Sequence, residues 1–470
     1  MRKNLFYFSV LFSFVLKAQT YLNQNISLLG LIDPNTNTTT FGPDGRKYNG
    51  CWGWYQTSSN KEYAIVGASH GTYFIDVTVP TTPSVSAFVP GVPGVTVREV
   101  KTYQNYCFIT CDFGTAPTLQ IVDMSTLPTT VTVIHNSNTI FSSGHTHWID
   151  GSKLYVGGVT YSNGTTSAMN IYSLATPGTP VLLRELKQDF PSIGYVHDMF
   201  VRNDTVFASC GNQGLYVFKF NSTTNTFSQL GSYTGYAGTA YNHSSGLTQD
   251  GKHLLFCDES PAGSPIRYVD VQNLNNIQPV QTFQPFSGTT PHNPFLIGNK
   301  WAIVSCYQDG LYIYDISQPG NAAVSGYFDT YPQSGGNIGN YFGADYRGNW
   351  GAYPYLPSGI IIAADMQNGL FILDPTNAYN NPVGIKNNST KNTELIIYPN
   401  PVSQNLRINY STVNASKLEL KNVLGEILLQ EQYNGNISQT IDVSAFATGT
   451  YIISITEMGH TSHKKFIVNH

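Results

Sequence analysis

The sequence predicts an all-β protein: a seven-bladed β-propeller followed by a small Ig-like β-sandwich. Three observations carry this reading. A strand-like segment recurs about every fifty residues, the intervening segments read as short strands between turn residues, and the composition suits sheets. Aromatic residues reach 13%, with 31 Tyr, and no long amphipathic helical pattern occurs.

The repeat is read from "GTYFIDV", "LQIVDMS", "MNIYSLA", "GLYVFKF", "IRYVDVQ", "GLYIYDIS" and "GLFILDP". Each apolar run ends at one marker position, held by Asp76, Asp123, Ser173, Lys219, Asp270, Asp315 and Asp374. The successive intervals are 47, 50, 46, 51, 45 and 59 residues. Seven copies at this period, four strands each, suit a propeller. In the sixth copy the strands are "NPFLI", "WAIVSCY", "GLYIYDIS" and "AAVSGYF". Turns such as "RND", "QDGK" and "GNK" supply residues that tolerate positive φ. A propeller must close its ring. Residues 26–32, "ISLLGLI", are expected to supply the missing fourth strand of the seventh blade and so remove an exposed edge. "PVGI" at 382–385 is the rival. The long sixth-to-seventh interval is assigned to an insert, 330–359, that either binds a ligand or plugs the channel.

Charge and cysteine usage narrow the function classes. Charged residues make up 11%, and the formal net charge is −4. Nothing here provides the basic surface that nucleic acid requires. Arg2 and Lys3, an apolar run from Leu5 to Leu16 and the small Ala18 predict a signal peptide over residues 1–18. That run is too short to span a bilayer, and no other segment approaches the length, so no transmembrane segment is expected. Cys111, Cys210, Cys257 and Cys306 end strand-like runs and read as buried fillers, whereas Cys51 and Cys107 could pair.

The segments "GLYIYDIS", "RYVDV" and "LQIVDMS", with "VHDMF", "PHNPF" and "GNWGAYPYLPSG", resemble the LVIVD repeats of choice-of-anchor B surface proteins. The resemblance implies a secreted propeller over residues 19–379, with no established activity. After a polar linker, 380–394, residues 395–470 resemble the C-terminal sorting domain of the type IX secretion system of Bacteroidetes-type bacteria. The matching residues are Tyr398, Pro399, Asn400 and Pro401, then Gly425, Gly449, Tyr451, Lys464, Lys465 and Phe466. This resemblance implies passage to the outer-membrane surface or the medium. Its implied partners are the type IX machinery and a sortase-like peptidase.

The histidines raise the question of function. Ahead of each copy's first strand stand Arg98 and Glu99, His147, His197 and Asp198, His243, and His292 and Asn293. The first and seventh copies carry "CWGWY" and "NWGAY" there. First strands line a propeller's channel, so these residues are expected at one mouth of it, with His145 as a loop neighbour. Three readings follow. His147, His197, His243 and His292 could hold a transition metal such as zinc, copper or iron. Arg98, Glu99, Asp198 and Asn293, with Asp345 and Trp350 of the insert, could line a pocket for a small ligand or glycan. The histidines could also simply bond neighbouring blades. Asp258 and Glu259 read as a solvated loop pair, and His70, His135 and His253 as turn residues. No H-E-x-x-H and no phosphate-cradling glycine loop occurs. The expected function is extracellular binding or adhesion of a glycan or protein. A metal-dependent extracellular enzyme is the alternative.

Overall fold

The computed structural model describes residues 21–36, 45–112, 119–238, 240–286, 288–334, 346–380, 395–410, 415–423, 425–457 and 460–470. The expected signal peptide, Asp345, "PVGI" and nearly all of the linker lie outside them. The chain divides into two compact units between Ile385 and Lys386.

In the first unit, seven antiparallel sheets follow one another along the chain. The first consists of Tyr48–Gln56, Lys61–Ala68, Gly71–Asp76 and Ser84–Pro90, and the next five repeat that order. The seventh has Asn349–Tyr353, Ile361–Asp365 and Gly369–Asp374, and its fourth strand is Ser27–Ile32, paired antiparallel to Gly369–Asp374. A short strand missed in the sequence, Asn23–Gln24, adds a fifth strand to the sixth sheet. The first strands neighbour one another in chain order. The sixth sheet reaches Asn349–Tyr353 through Trp301–Ser305, and Asn349–Tyr353 returns to Tyr48–Gln56. The sheets therefore close a ring, which is a β-propeller. Its core is distributed, with one buried apolar cluster at each of the seven seams between adjacent sheets.

The repeated marker has a local cause. The side chains of Asp76, Asp123, Ser173, Asp270, Asp315 and Asp374 each accept a hydrogen bond from the backbone N–H two residues on, at 2.8–3.3 Å. Each ends the third strand in an Asx- or Ser-type turn. Lys219 cannot accept, so the fourth copy runs on to Asn221, whose Oδ1 takes the Thr223 N–H at 2.9 Å. The fourth strands of the seventh and fourth sheets contain the similar segments "SLLGLI" (27–32) and "SQLGSY" (228–233), and the likeness has a cause. Both fourth strands bulge beside the glycine, and a Cβ on Gly30 or Gly231 would strike the carbonyl of Pro80 or Leu274 in the next sheet, at 2.2 and 1.9 Å. Glycine lets the neighbouring turn seat there.

Two expectations need correction. Asn349–Tyr353, the "NWGAY" aligned with the first strands, is the innermost strand of the seventh sheet, so it does not belong to the insert 330–359 whose bounds include it. Cys51 and Cys107 do not pair: all six cysteines are buried free thiols. Burial raises the thiols of Cys51, Cys107, Cys111 and Cys210, Cys51 to about 12 and Cys111 to about 11.

The second unit is also all β. A three-stranded sheet and a four-stranded sheet share one core, with Leu406, Ile408 and Ile441 facing Leu418, Leu420, Ile453 and Phe466. No helix among the described residues is long and apolar enough to cross a membrane.

Two outcomes are expected. Gly30→Ala should cost about 1–3 kcal/mol in denaturant unfolding by forcing the first and seventh sheets apart. A thiol reagent should label none of the six cysteines in the native protein and all of them after denaturation, read by mass spectrometry.

Candidate functional site

Backbone register identifies the equivalent positions around the ring. Glu99 pairs with Thr110, Thr146 with Gly157, Asp198 with Ser209 and Gly351 with Ala364. Asn293 accepts from Ser305 N–H at the same place. In the fifth sheet Ser244 pairs with Cys257, and His243 is the bulged residue before it. The preceding position is therefore Arg98, His145, His197, His243, His292 and Trp350 in successive sheets. Four consecutive sheets place a histidine there, and in the third it is His145, not His147.

His147 lies two residues further along, on the face turned toward the preceding sheet, and does not join the arc. It is fully buried, and its Nδ1 lies 2.9 Å from Thr110 Oγ1 of the preceding sheet. The sequence offers His145 and His147 two residues apart, and distance from the marker misleads because the second and third strands are both long in this copy, eight residues each.

The four rings form an arc, with consecutive centroids 4.3 Å apart from His145 through His197 and His243 to His292. Nδ1 of His197, His243 and His292 meets the backbone carbonyl of the next sheet's equivalent residue, His243, His292 and Trp350, at 3.2, 3.2 and 2.5 Å. A carbonyl only accepts, so each Nδ1 carries the proton, and a neutral ring then keeps a bare lone pair at Nε2. Burial, then neighbouring charge, holds His197 well below its ordinary value and lowers His243 and His292 to about 3. These rings are neutral near pH 7.

Carboxylates complete the arc. His145 Nδ1 lies 2.9 Å from Asp112 Oδ2, and its Nε2 lies 2.8 Å from His197 Nε2. Glu259 Oε1 accepts from the Tyr307 hydroxyl at 2.6 Å and stands 3.8 Å from His243 Nε2 and 4.0 Å from His292 Nε2. His197, His243 and Glu259 can bring one ligand atom each within 4.8 Å of one another. Asp112 and Glu259 reach the arc from the ends of second strands, so their place is visible only in the fold. Asp258 corrects the solvated-loop expectation: it is fully buried, takes Arg267 Nε at 2.6 Å and accepts from Tyr236 OH at 2.8 Å.

Beneath the arc lies a cavity of about 50 Å³, lined among others by Glu99, Lys101, Asp198 and Asn293. Glu99 and Lys101 form a buried ion pair at 3.1 Å, and Trp350 Nε1 points to Glu99 Oε1 at 3.5 Å. Burial raises the Asp198 carboxyl to about 7, countered by the charge of Lys101. Asn293 Nδ2 donates to the Trp350 carbonyl at 3.2 Å. Arg98 does not join this group. Its guanidinium is buried and donates to the carbonyls of Ala68 at 3.0 Å and Val92 at 2.7 Å, so it is not an anion contact. Two residues further along the first strands, Trp52 packs on Trp148, Phe295 and Tyr353, and Trp148 on Phe200, with centroids 4.7–6.1 Å apart, an aromatic layer that draws on five sheets.

In the second unit Asn400 is a structural pin: its side chain donates to Lys465 O at 3.2 Å and accepts from Ile467 N–H at 2.9 Å. Tyr451 stacks on Phe466 at 5.6 Å and donates to Ala447 O at 2.8 Å, and Gly449 opens its strand. Pro399, Pro401, Lys464 and Lys465 are exposed.

The acid response of the propeller follows from the neutral imidazoles. Unfolded, each binds a proton below about 6.5; folded, His243 and His292 do so only near 3. Stability is therefore lost as pH falls through that window, by about 1.4 kcal/mol per pH unit for each such ring. Asp198 and Asp365, raised to about 7, act in the opposite sense. His243→Gln in EDTA should thus show a shallower loss of unfolding free energy from pH 6 to 4 than the parent chain, by about that slope.

Comparison with known proteins addresses both units. Residues 396–469 match the family of secretion system C-terminal sorting domains. An 87-residue stretch is 28% identical to an endo-acting ulvan lyase of Formosa agariphila, covering 18% of this chain and 17% of that protein. Among solved structures, a candidate 6-phosphogluconolactonase of Bacteroides uniformis is 13% identical with a TM-score of 0.48, covering 84% of this chain and 100% of that one. The Swd1 β-propeller domain of Myceliophteria thermophila is 11% identical with a TM-score of 0.46, covering 74% and 98%. The chain is a β-propeller protein that carries a secretion system C-terminal sorting domain, and hence a secreted protein.

Proposed function

We propose that the exported propeller is an extracellular binding module whose ligand face is the histidine-bearing mouth of its channel. The observation that carries this reading is the polarity of the axis. One layer holds Glu99, Lys101, Asp198, Asn293 and the imidazole arc, while the next is closed by aromatic rings. A concave polar site on a rigid apolar floor suits a small polar ligand or the end of a glycan. Asp198 and Asn293 would take hydroxyl groups. Tyr195 and Tyr241, whose rings lie 6.1 and 5.3 Å from His197, would cover a sugar face.

The quoted repeats support reading the propeller as an LVIVD-type, choice-of-anchor B protein of a Bacteroidetes-type bacterium. In this reading the sorting domain directs outer-membrane passage. A sortase-like peptidase then removes it and leaves the propeller at the cell surface or in the medium. The second reading is a metal-dependent enzyme, favoured by the convergence of His197, His243 and Glu259. It would appear as turnover of the bound glycan that EDTA abolishes.

A glycan array probed with the full chain tests the first reading. Binding to a restricted glycan set, weakened at least about tenfold in Asp198→Asn and Asn293→Ala, is the expected result. No binding across the array and to bacterial surface polymers, or binding indifferent to both substitutions, would remove it.

A further inference from the structure

We propose that the imidazole arc is a transition-metal site whose ligands are Nε2 of His145, His197 and His243 and the carboxylate of Glu259. The site is independent of the glycan reading: a chain that binds no glycan can still retain its ion.

Hydrogen-bond valence carries the proposal. His197 commits its Nδ1 proton to the His243 carbonyl, so its Nε2 has only a lone pair to offer. His145 commits its Nδ1 proton to the Asp112 carboxylate, which cannot donate when ionised. The two Nε2 atoms nonetheless stand 2.8 Å apart. Two lone pairs at that distance repel unless a positive centre joins them. Either His145 carries a second proton as an imidazolium paired to Asp112, or a cation bridges both rings. Two imidazoles adjacent on one ion, each at about 2.0–2.1 Å, have nitrogens about 2.9–3.4 Å apart, close to the separation found.

The surroundings favour the cation. His243 is held in the same tautomer by the His292 carbonyl, so a third lone pair is already directed. Glu259 supplies a negative charge, and its Oε1 is oriented by the Tyr307 hydroxyl at 2.6 Å. Asp112 behind His145 is the carboxylate–histidine arrangement that orients metal ligands and raises their basicity. Three neutral nitrogens and one carboxylate oxygen suit zinc or copper. Calcium and magnesium would require several more oxygens. His292, whose Nε2 lies 4.0 Å from Glu259 Oε1, borders the set.

The test uses the purified full chain, stripped with EDTA, loaded with zinc chloride or copper sulfate, desalted and assayed by elemental analysis. About one equivalent should remain. His197→Ala and His243→Ala should lose it, whereas His147→Ala should keep it. A chain with His460→Ala, His463→Ala and His470→Ala should also keep it, which excludes the tail as the binder. Asp112→Asn should weaken retention about 10–100-fold without altering circular dichroism. Copper-loaded wild-type chain should show imidazole nitrogen coupling by electron paramagnetic resonance, a readout that does not depend on any variant folding. A folded wild-type chain that retains neither metal, or copper spectra without nitrogen coupling, would overturn the proposal. The proton-sharing imidazolium would then be the occupant of the gap.

Discussion

A single hydrogen bond, repeated along the channel, ties the packing of this propeller to its chemistry. From one sheet to the next, an imidazole Nδ1 donates to the backbone carbonyl of the equivalent residue. The bond satisfies a buried carbonyl at the seam, as a closed ring requires. It also dictates the tautomer of each ring and turns every Nε2 inward. Structural and functional readings of the histidines are therefore not rivals: one nitrogen serves the seam and the other the channel.

The ring is not symmetric in its chemistry. Arg98 and Trp350 occupy the histidine position in the second and seventh sheets, and they behave differently. Arg98 turns its guanidinium toward backbone carbonyls within the seam. Trp350 packs on His292 at 4.9 Å and reaches Glu99. Only the third to sixth sheets contribute imidazoles, so the arc spans four of the seven sheets. The remaining side holds the Glu99–Lys101 pair, with Lys101 Nζ also 4.4 Å over the Trp52 ring. A repeated scaffold thus carries a site by breaking its own repetition at one position per sheet.

Much of this was legible in advance. The marker residues form real turns, and the glycine shared by "SLLGLI" and "SQLGSY" marks a real close approach. Arg98, His197 and His292 were aligned in the correct register, because in those copies the count back to the first strand is simple. His147 stands in for His145 in the sequence reading because the second and third strands of that copy are both long. Asp112 and Glu259 could not be found from spacing at all. They stand at the ends of second strands, Asp112 reaching His145 across a seam and Glu259 meeting His243 of its own sheet and His292 of the next.

Local chemistry along the chain was enough to specify turns and strand periodicity, because each depends on residues a few positions apart. Which of two neighbouring histidines faces the axis, which carboxylates meet the arc, and whether Asp258 is solvated or paired were decided by the closed ring. Those properties depend on register between strands and on contacts between sheets about fifty residues apart in the repeat, and no local pattern encodes them.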